Sequence, residues 1–84
     1  MTSLVFGGVS LWLMRDYMTM LNAQPLGDDN YQLRGSRVSL RLAEPINIAS
    51  VSISRIEVLI DAEDEVLEAE VVAAIRLKAL RGGG

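Results

Sequence analysis

Neither cysteine nor histidine occurs among the 84 residues. Without cysteine there can be no disulfide, no thiolate nucleophile and no thiolate metal site, and the redox compartment cannot be read. Without histidine the chain lacks the commonest general base, the commonest metal ligand and the side chain that switches charge near neutral pH. Aromatic residues are scarce: Phe6, Trp12, Tyr17 and Tyr31 are all there are. Long hydrophobic runs are missing too. The most apolar segment, Leu4 to Met14, is interrupted by Gly7-Gly8 and falls short of the roughly 20 residues a membrane-spanning helix needs. No basic leader precedes it, and no small-x-small cleavage site follows. These absences argue against an enzyme, a cofactor and a membrane span, and they favour a protein that is cytoplasmic when made.

What is present is apolar and acidic. Half of the residues are hydrophobic and the net charge is −3. A chain this short buries only about 60–65% of the surface its unfolded form exposes, so its apolar surplus predicts buried surface in a homo-oligomer or a larger assembly. The charge is unevenly placed. Seven acids (Glu57, Asp61, Glu63, Asp64, Glu65, Glu68, Glu70) and no base fall between residues 56 and 70. A nucleic-acid binder should show a basic footprint instead. Arg34, Arg37 and Arg41, which flank Val38 and Leu40, read as the solvated face of a strand, and nucleic acid is not an expected partner.

Alternation of apolar and polar residues dominates the last third. Ile56, Val58 and Ile60 alternate with Arg55, Glu57 and Asp61, and Val71, Ala73, Ile75, Leu77 and Ala79 form one period-two set. Successive side chains of a strand point to opposite faces, so these segments predict a hairpin turning at Asp61–Glu65. Local propensity favours the other outcome. Ala, Glu, Leu, Arg and Lys dominate residues 62–81, Asp61 could cap a helix, acids fill its first turn and bases its last. The expected class is α+β, mainly β: a small antiparallel sheet of hairpins with one short helix, with a helical segment over 62–81 as the alternative.

Further upstream, Gly7-Gly8 predicts a tight hairpin between Ser3–Phe6 and Val9–Met14. The spacing of Met14, Met18 and Leu21 predicts a short helix within 15–23. Gln24 to Asn30 reads as a loop. Tyr31 to Leu42 reads as a strand with a bulge at Gly35, ended by Glu44-Pro45, and a register slip is expected at Ala49-Ser50. Residues 1–81 are expected to form a single small domain, with 82–84 a flexible glycine tail.

Candidate sites are few. Asp61, Glu63 and Glu65 could face a divalent cation, but no EF-hand framework accompanies them, and a solvated turn explains them more simply. Glu68 with Glu70, or Glu57 with Asp61, lack signs of the cleft that acid–base work requires, and Ser50, Ser52 and Ser54 have no histidine to activate them. Interaction is the better use of the unusual residues. Phe6, Trp12, Arg15 and Tyr17 form a candidate contact patch, since interfaces enrich Trp, Tyr and Arg. Glu63, Asp64 and Glu65 would meet a basic partner or discourage wrong edge pairing.

The segment Leu77-Lys78-Ala79-Leu80-Arg81-Gly82-Gly83 resembles the end of ubiquitin-family proteins, whose last strand runs into a Leu-Arg-Gly-Gly tail. That resemblance implies a β-grasp fold and a modifier or carrier whose glycines thread into an activating enzyme, with Arg81, Gly82, Gly83 and Gly84 as the working residues. Gly84 exceeds the pattern by one residue. The leading expectation from composition is different: a non-enzymatic structural protein, most naturally a small phage virion or tail component, with the glycine-tailed modifier or carrier as its alternative.

Overall fold

The computed structural model describes residues 1–82. Seven elements follow one another: β1 (Thr2–Gly7), α1 (Leu11–Met20), β2 (Gln24–Gly27), β3 (Asn30–Leu33), β4 (Ser36–Ile48), β5 (Val51–Ala62) and α2 (Glu65–Gly82). The strands form one sheet in the order β1-β5-β4-β3-β2, and every neighbouring pair is antiparallel. The α+β, mainly β expectation holds, in its version with a helical C-terminal segment.

Alternation sorts the sheet into two faces. Leu4, Val38, Leu40, Ile56, Val58 and Ile60 all point to one side and are buried. Met14, Tyr17 and Met18 of α1, and Val71, Ile75 and Ala79 of α2, complete the same core. Both helices therefore lie against one face. On the other face, Ser3, Val5, Arg37 and Arg41 are exposed.

Several local expectations are corrected. Gly7-Gly8 does not turn a hairpin: Ser10 is extended and its hydroxyl accepts a hydrogen bond from the Leu13 N–H at 3.2 Å, which starts α1 at Leu11. A serine at this position satisfies one of the orphan N–H groups of a first turn. The helix ends where Asn22 enters the left-handed region (φ 63°) and the Ala23 N–H reaches the Met18 carbonyl at 2.9 Å. Gln24–Asn30 contains a short strand rather than only a loop. Gly35 is no bulge: Arg34 (φ 48°) and Gly35 (φ 79°) make a two-residue turn from β3 to β4, a geometry that favours glycine. Glu44-Pro45 bulges β4 without ending it.

The expected final strand is a helix. Asp64, not Asp61, caps it: its Oδ1 accepts from the Val66 N–H at 2.8 Å, and its carbonyl from the Glu68 N–H at 3.0 Å. Glu65 and Glu68 occupy the first turn, where the helix dipole favours negative charge. No final strand of the kind a β-grasp resemblance implies occurs among the described residues.

Glu68 ties α2 to the sheet. Its carboxylate accepts from the Thr2 hydroxyl at 2.8 Å and the Ala62 N–H at 3.3 Å, and lies 3.4 Å from the Met1 amino group. The Thr2 hydrogen bond is the main reason its pKa sits below the ordinary carboxylate value. A depressed folded pKa supplies stability that is complete above the unfolded value and disappears as pH falls through the folded one. Glu68→Gln should therefore lower the melting temperature at neutral pH, and the gap from the parent should close in acid. Thermal melts over a pH series measure it.

Two buried hydroxyls, Tyr17 Oη and Ser36 Oγ, have no hydrogen-bond partner among the described residues. Removing an unpaired buried polar atom orphans nothing new. Tyr17→Phe and Ser36→Ala should each be stabilising by about 1 kcal/mol, read as a higher urea midpoint at unchanged m.

Candidate functional site

The last turns of α2 carry apolar side chains that face solvent. Val71, Ile75 and Ala79 recur every fourth residue and hold one side of the helix to the core. The opposite side is free: Leu77 is 51% exposed and Leu80 is 76% exposed. A cavity of about 490 Å³ opens beside it, lined by Leu21, Arg34, Glu70, Ala73, Ala74, Leu77 and Lys78. Most of its lining is apolar, and Arg34, Lys78 and Glu70 add charge of both signs. Such a surface can bind a protein segment through apolar contact with a charged rim. It offers no pair of groups for acid–base work.

The candidate contact patch is divided by the fold. Trp12 stands out at 64% exposure on the first turn of α1, whereas Tyr17 faces the core with 3% exposure. Phe6 is half-buried against that core. Arg15 is exposed but engaged: its Nε and Nη2 donate to the two Asp29 oxygens at 2.6 and 2.9 Å. That hydrogen bonding lowers the Asp29 pKa and raises that of Arg15. Trp12 and Arg15 thus share a solvent-facing helix surface that Tyr17 does not join. The lone exposed tryptophan was legible only as a possibility, because a tryptophan in a short apolar segment suits a core equally well.

Glu63, Asp64 and Glu65 lie at the start of α2, far along the helix from Gly82. Asp64 is used as the cap. Glu63 and Asp64 share the rim of a 340 Å³ depression with Asp61 and Arg37. Among the described residues, no three Asp or Glu side chains converge as a metal site, and no helix is long and apolar enough to cross a membrane. Of the tail residues, Gly82 is the last described, in helical conformation. Gly83 and Gly84 lie outside the described residues, as does the Arg81 side chain.

The exposed apolar face of α2 and the cavity beside it are the features that sequence reading missed. Their signal was the mixture of Leu77 and Leu80 with Arg76 and Lys78, which looked like strand alternation.

Comparison with known proteins bears on all of this. A family model described as archaeal MoaD-like protein matches residues 2–84. No curated protein matches the chain. The family match covers nearly the whole chain, glycines included, and overturns the expectation of a phage virion or tail component. A virion location falls with it.

Proposed function

The chain belongs to the archaeal MoaD-like family, and from that membership we propose that it is a ubiquitin-like carrier, not itself an enzyme, acting through its C-terminal glycines. The observation that carries the reading is a family match extending through the Leu80-Arg81-Gly82-Gly83 segment. Sulfur is the cargo best suited to this chain. With no cysteine it cannot hold sulfur as a persulfide, so the sulfur must sit on the terminal carboxylate as a thiocarboxylate. A carboxylate is a poor electrophile. A partner must first convert one of its oxygens into a leaving group, at the expense of a nucleoside triphosphate, before a sulfur nucleophile can displace it. With no histidine or cysteine, this chain supplies no catalyst for either step, and both belong to partner proteins in the cytoplasm.

What the chain supplies is access and grip. Glycine has no Cβ, so a glycine segment can pass through a narrow channel. The helical Gly82 must leave the helix to do so. That is inexpensive, because the last carbonyls of a helix lack internal partners and glycine is about 1 kcal/mol worse than alanine in a helix. Leu77 and Leu80, with the cavity beside them, provide the docking surface one turn away.

The absence of cysteine also supplies the test. Thiol-directed alkylation of the protein from its native cells should label only a thiocarboxylate, at the terminal glycine, seen by intact-mass and fragment spectrometry. Conjugates through a lysine side chain of another protein would make it a modifier instead. A chain with neither label nor conjugate under conditions of active sulfur transfer would defeat the proposal.

A further inference from the structure

β4 and β5 run well past the rest of the sheet. β3 pairs with β4 only over Ser36–Ser39, and β1 pairs with β5 only over Arg55–Ile60. Beyond Ser54, whose carbonyl accepts from the Gly8 N–H at 2.9 Å, β4 and β5 have only each other. The resulting ribbon reaches about 17 Å to the turn at Ala49-Ser50, at about 3.4 Å per residue. It helps make the molecule 42 Å long and 24 by 21 Å across. A two-stranded ribbon is marginal in water by itself.

The bulge decides what this ribbon presents. Up to Ala43↔Arg55 the two strands pair in one register, and after the bulge they resume at Ile46↔Ile53 and Ile48↔Val51. The extra residue reverses the alternation of β4. Ile46 and Ile48 thereby join Val51 and Ile53 on the face of the sheet that no helix covers. Unbulged pairing would have put the two isoleucines opposite serines on the other side. Ile46, Ile48 and Val51 are exposed, so an apolar quartet faces solvent.

We infer that this open sheet face binds a second copy of the same chain, by stacking sheet on sheet about a two-fold axis that runs along the strands between β4 and β5. Such an axis lays each β4 residue over the residue of the partner's β5 that is its own register neighbour. The register then makes the face self-complementary. Arg37 pairs in register with Asp61, Arg41 with Glu57, Ile46 with Ile53 and Ile48 with Val51. Arg37 and Arg41 therefore each meet an acid across the interface, Arg55 lies over Ala43, and the apolar quartets meet each other. Arg41 already bonds Glu57 within the chain, so the pair would become a network of four charges. The perpendicular in-plane axis would set the quartet against the charged end, which excludes it. Aligned sheets cross at about 30°, so the match is tightest along the axis, where these strands lie.

Area and charge agree. The four strands that overlap about this axis, β1, β3, β4 and β5, contain 35 residues, and at about 3.4 by 4.8 Å each their flat footprint is about 570 Å². Side-chain relief raises that toward the roughly 800 Å² per partner of a stable interface. The acidic run of α2 lies in the other layer, so two copies stack through a face on which Arg37, Arg41 and Arg55 offset Glu57 and Asp61. The inference does not depend on the carrier reading.

Light scattering on the full chain up to millimolar concentration should show a molar mass twice 9.2 kDa. Ile48→Glu should raise the dissociation constant about a hundredfold while circular dichroism stays unchanged. Two charge-reversed chains make the test specific. R37E/R41E makes the four register-paired charges all acidic and E57R/D61R makes them all basic, so each alone should be monomeric, and an equimolar mixture of the two folded variants should recover the dimer mass. A parent chain that stays monomeric throughout, an Ile48→Glu variant that dimerises normally, or a charge-reversed mixture that stays monomeric would overturn the inference.

Discussion

A chain lacking Gly82, Gly83 and Gly84 should lose all thiol-directed labelling and all carrier activity while melting within about 4 °C of the parent. Among the described residues, Ala79 is the last of α2 in the core, and a shift of that size corresponds to less than about 1 kcal/mol in a domain this small. Function and stability should therefore separate cleanly. A milder variant probes the step before loading. Gly82→Ala should favour the last helical turn by up to about 1 kcal/mol, which makes unwinding about fivefold rarer. Loading should slow by up to that factor, and helicity should rise slightly. Unchanged loading in Gly82→Ala would mean that the tail does not have to leave the helix. Unchanged labelling in the truncated chain would remove the glycines from the mechanism altogether.

The largest effect on stability should come from the centre of the sheet. Ile60 sits on β5, between Thr2 of β1 and Val38 of β4, and is completely buried. Ile60→Ala removes three carbons from a site that cannot collapse, because a strand is fixed on either side. Such substitutions cost about 2–5 kcal/mol. A domain of this length has a total of only about 4–13 kcal/mol at 0.05–0.15 kcal/mol per residue. The melting temperature should fall by at least about 8 °C, and a substantial unfolded fraction should be visible by circular dichroism at physiological temperature. Asp16→Ala, on the exposed side of α1, provides the control and should stay within about 0.5 kcal/mol.

The sheet was readable from sequence where one face is buried. Ile56, Val58 and Ile60 alternate with polar residues because the core lies on one side only, and Val38 and Leu40 do the same. The last element was ambiguous for an arithmetical reason. Val71, Ile75 and Ala79 recur every four residues, which suits a helix face, but every fourth residue is also an alternate one. Apolar neighbours such as Ala73 and Leu77 filled the gaps and completed a false strand pattern. Caps would have broken the tie. Asp64, with Glu65 and Glu68 behind it, is a helix start, and Ser10 ahead of Leu11–Met14 is another. The Leu77–Leu80 surface could not be read until the helix was known. The glycine segment was legible as a resemblance, but its weight came from the family match.

Placing both helices against one face of the sheet gives the molecule two outward sides of different use. The end of α2 belongs to the helical layer, while the isoleucine ribbon belongs to the bare one, so an occupant of either leaves the other accessible. A pair joined through its ribbons would have a valence of two, with each helix end turned away from its twin and able to receive cargo without waiting for its neighbour. Delivery could then be concerted or single without any change in shape, set only by how many acceptors are within reach.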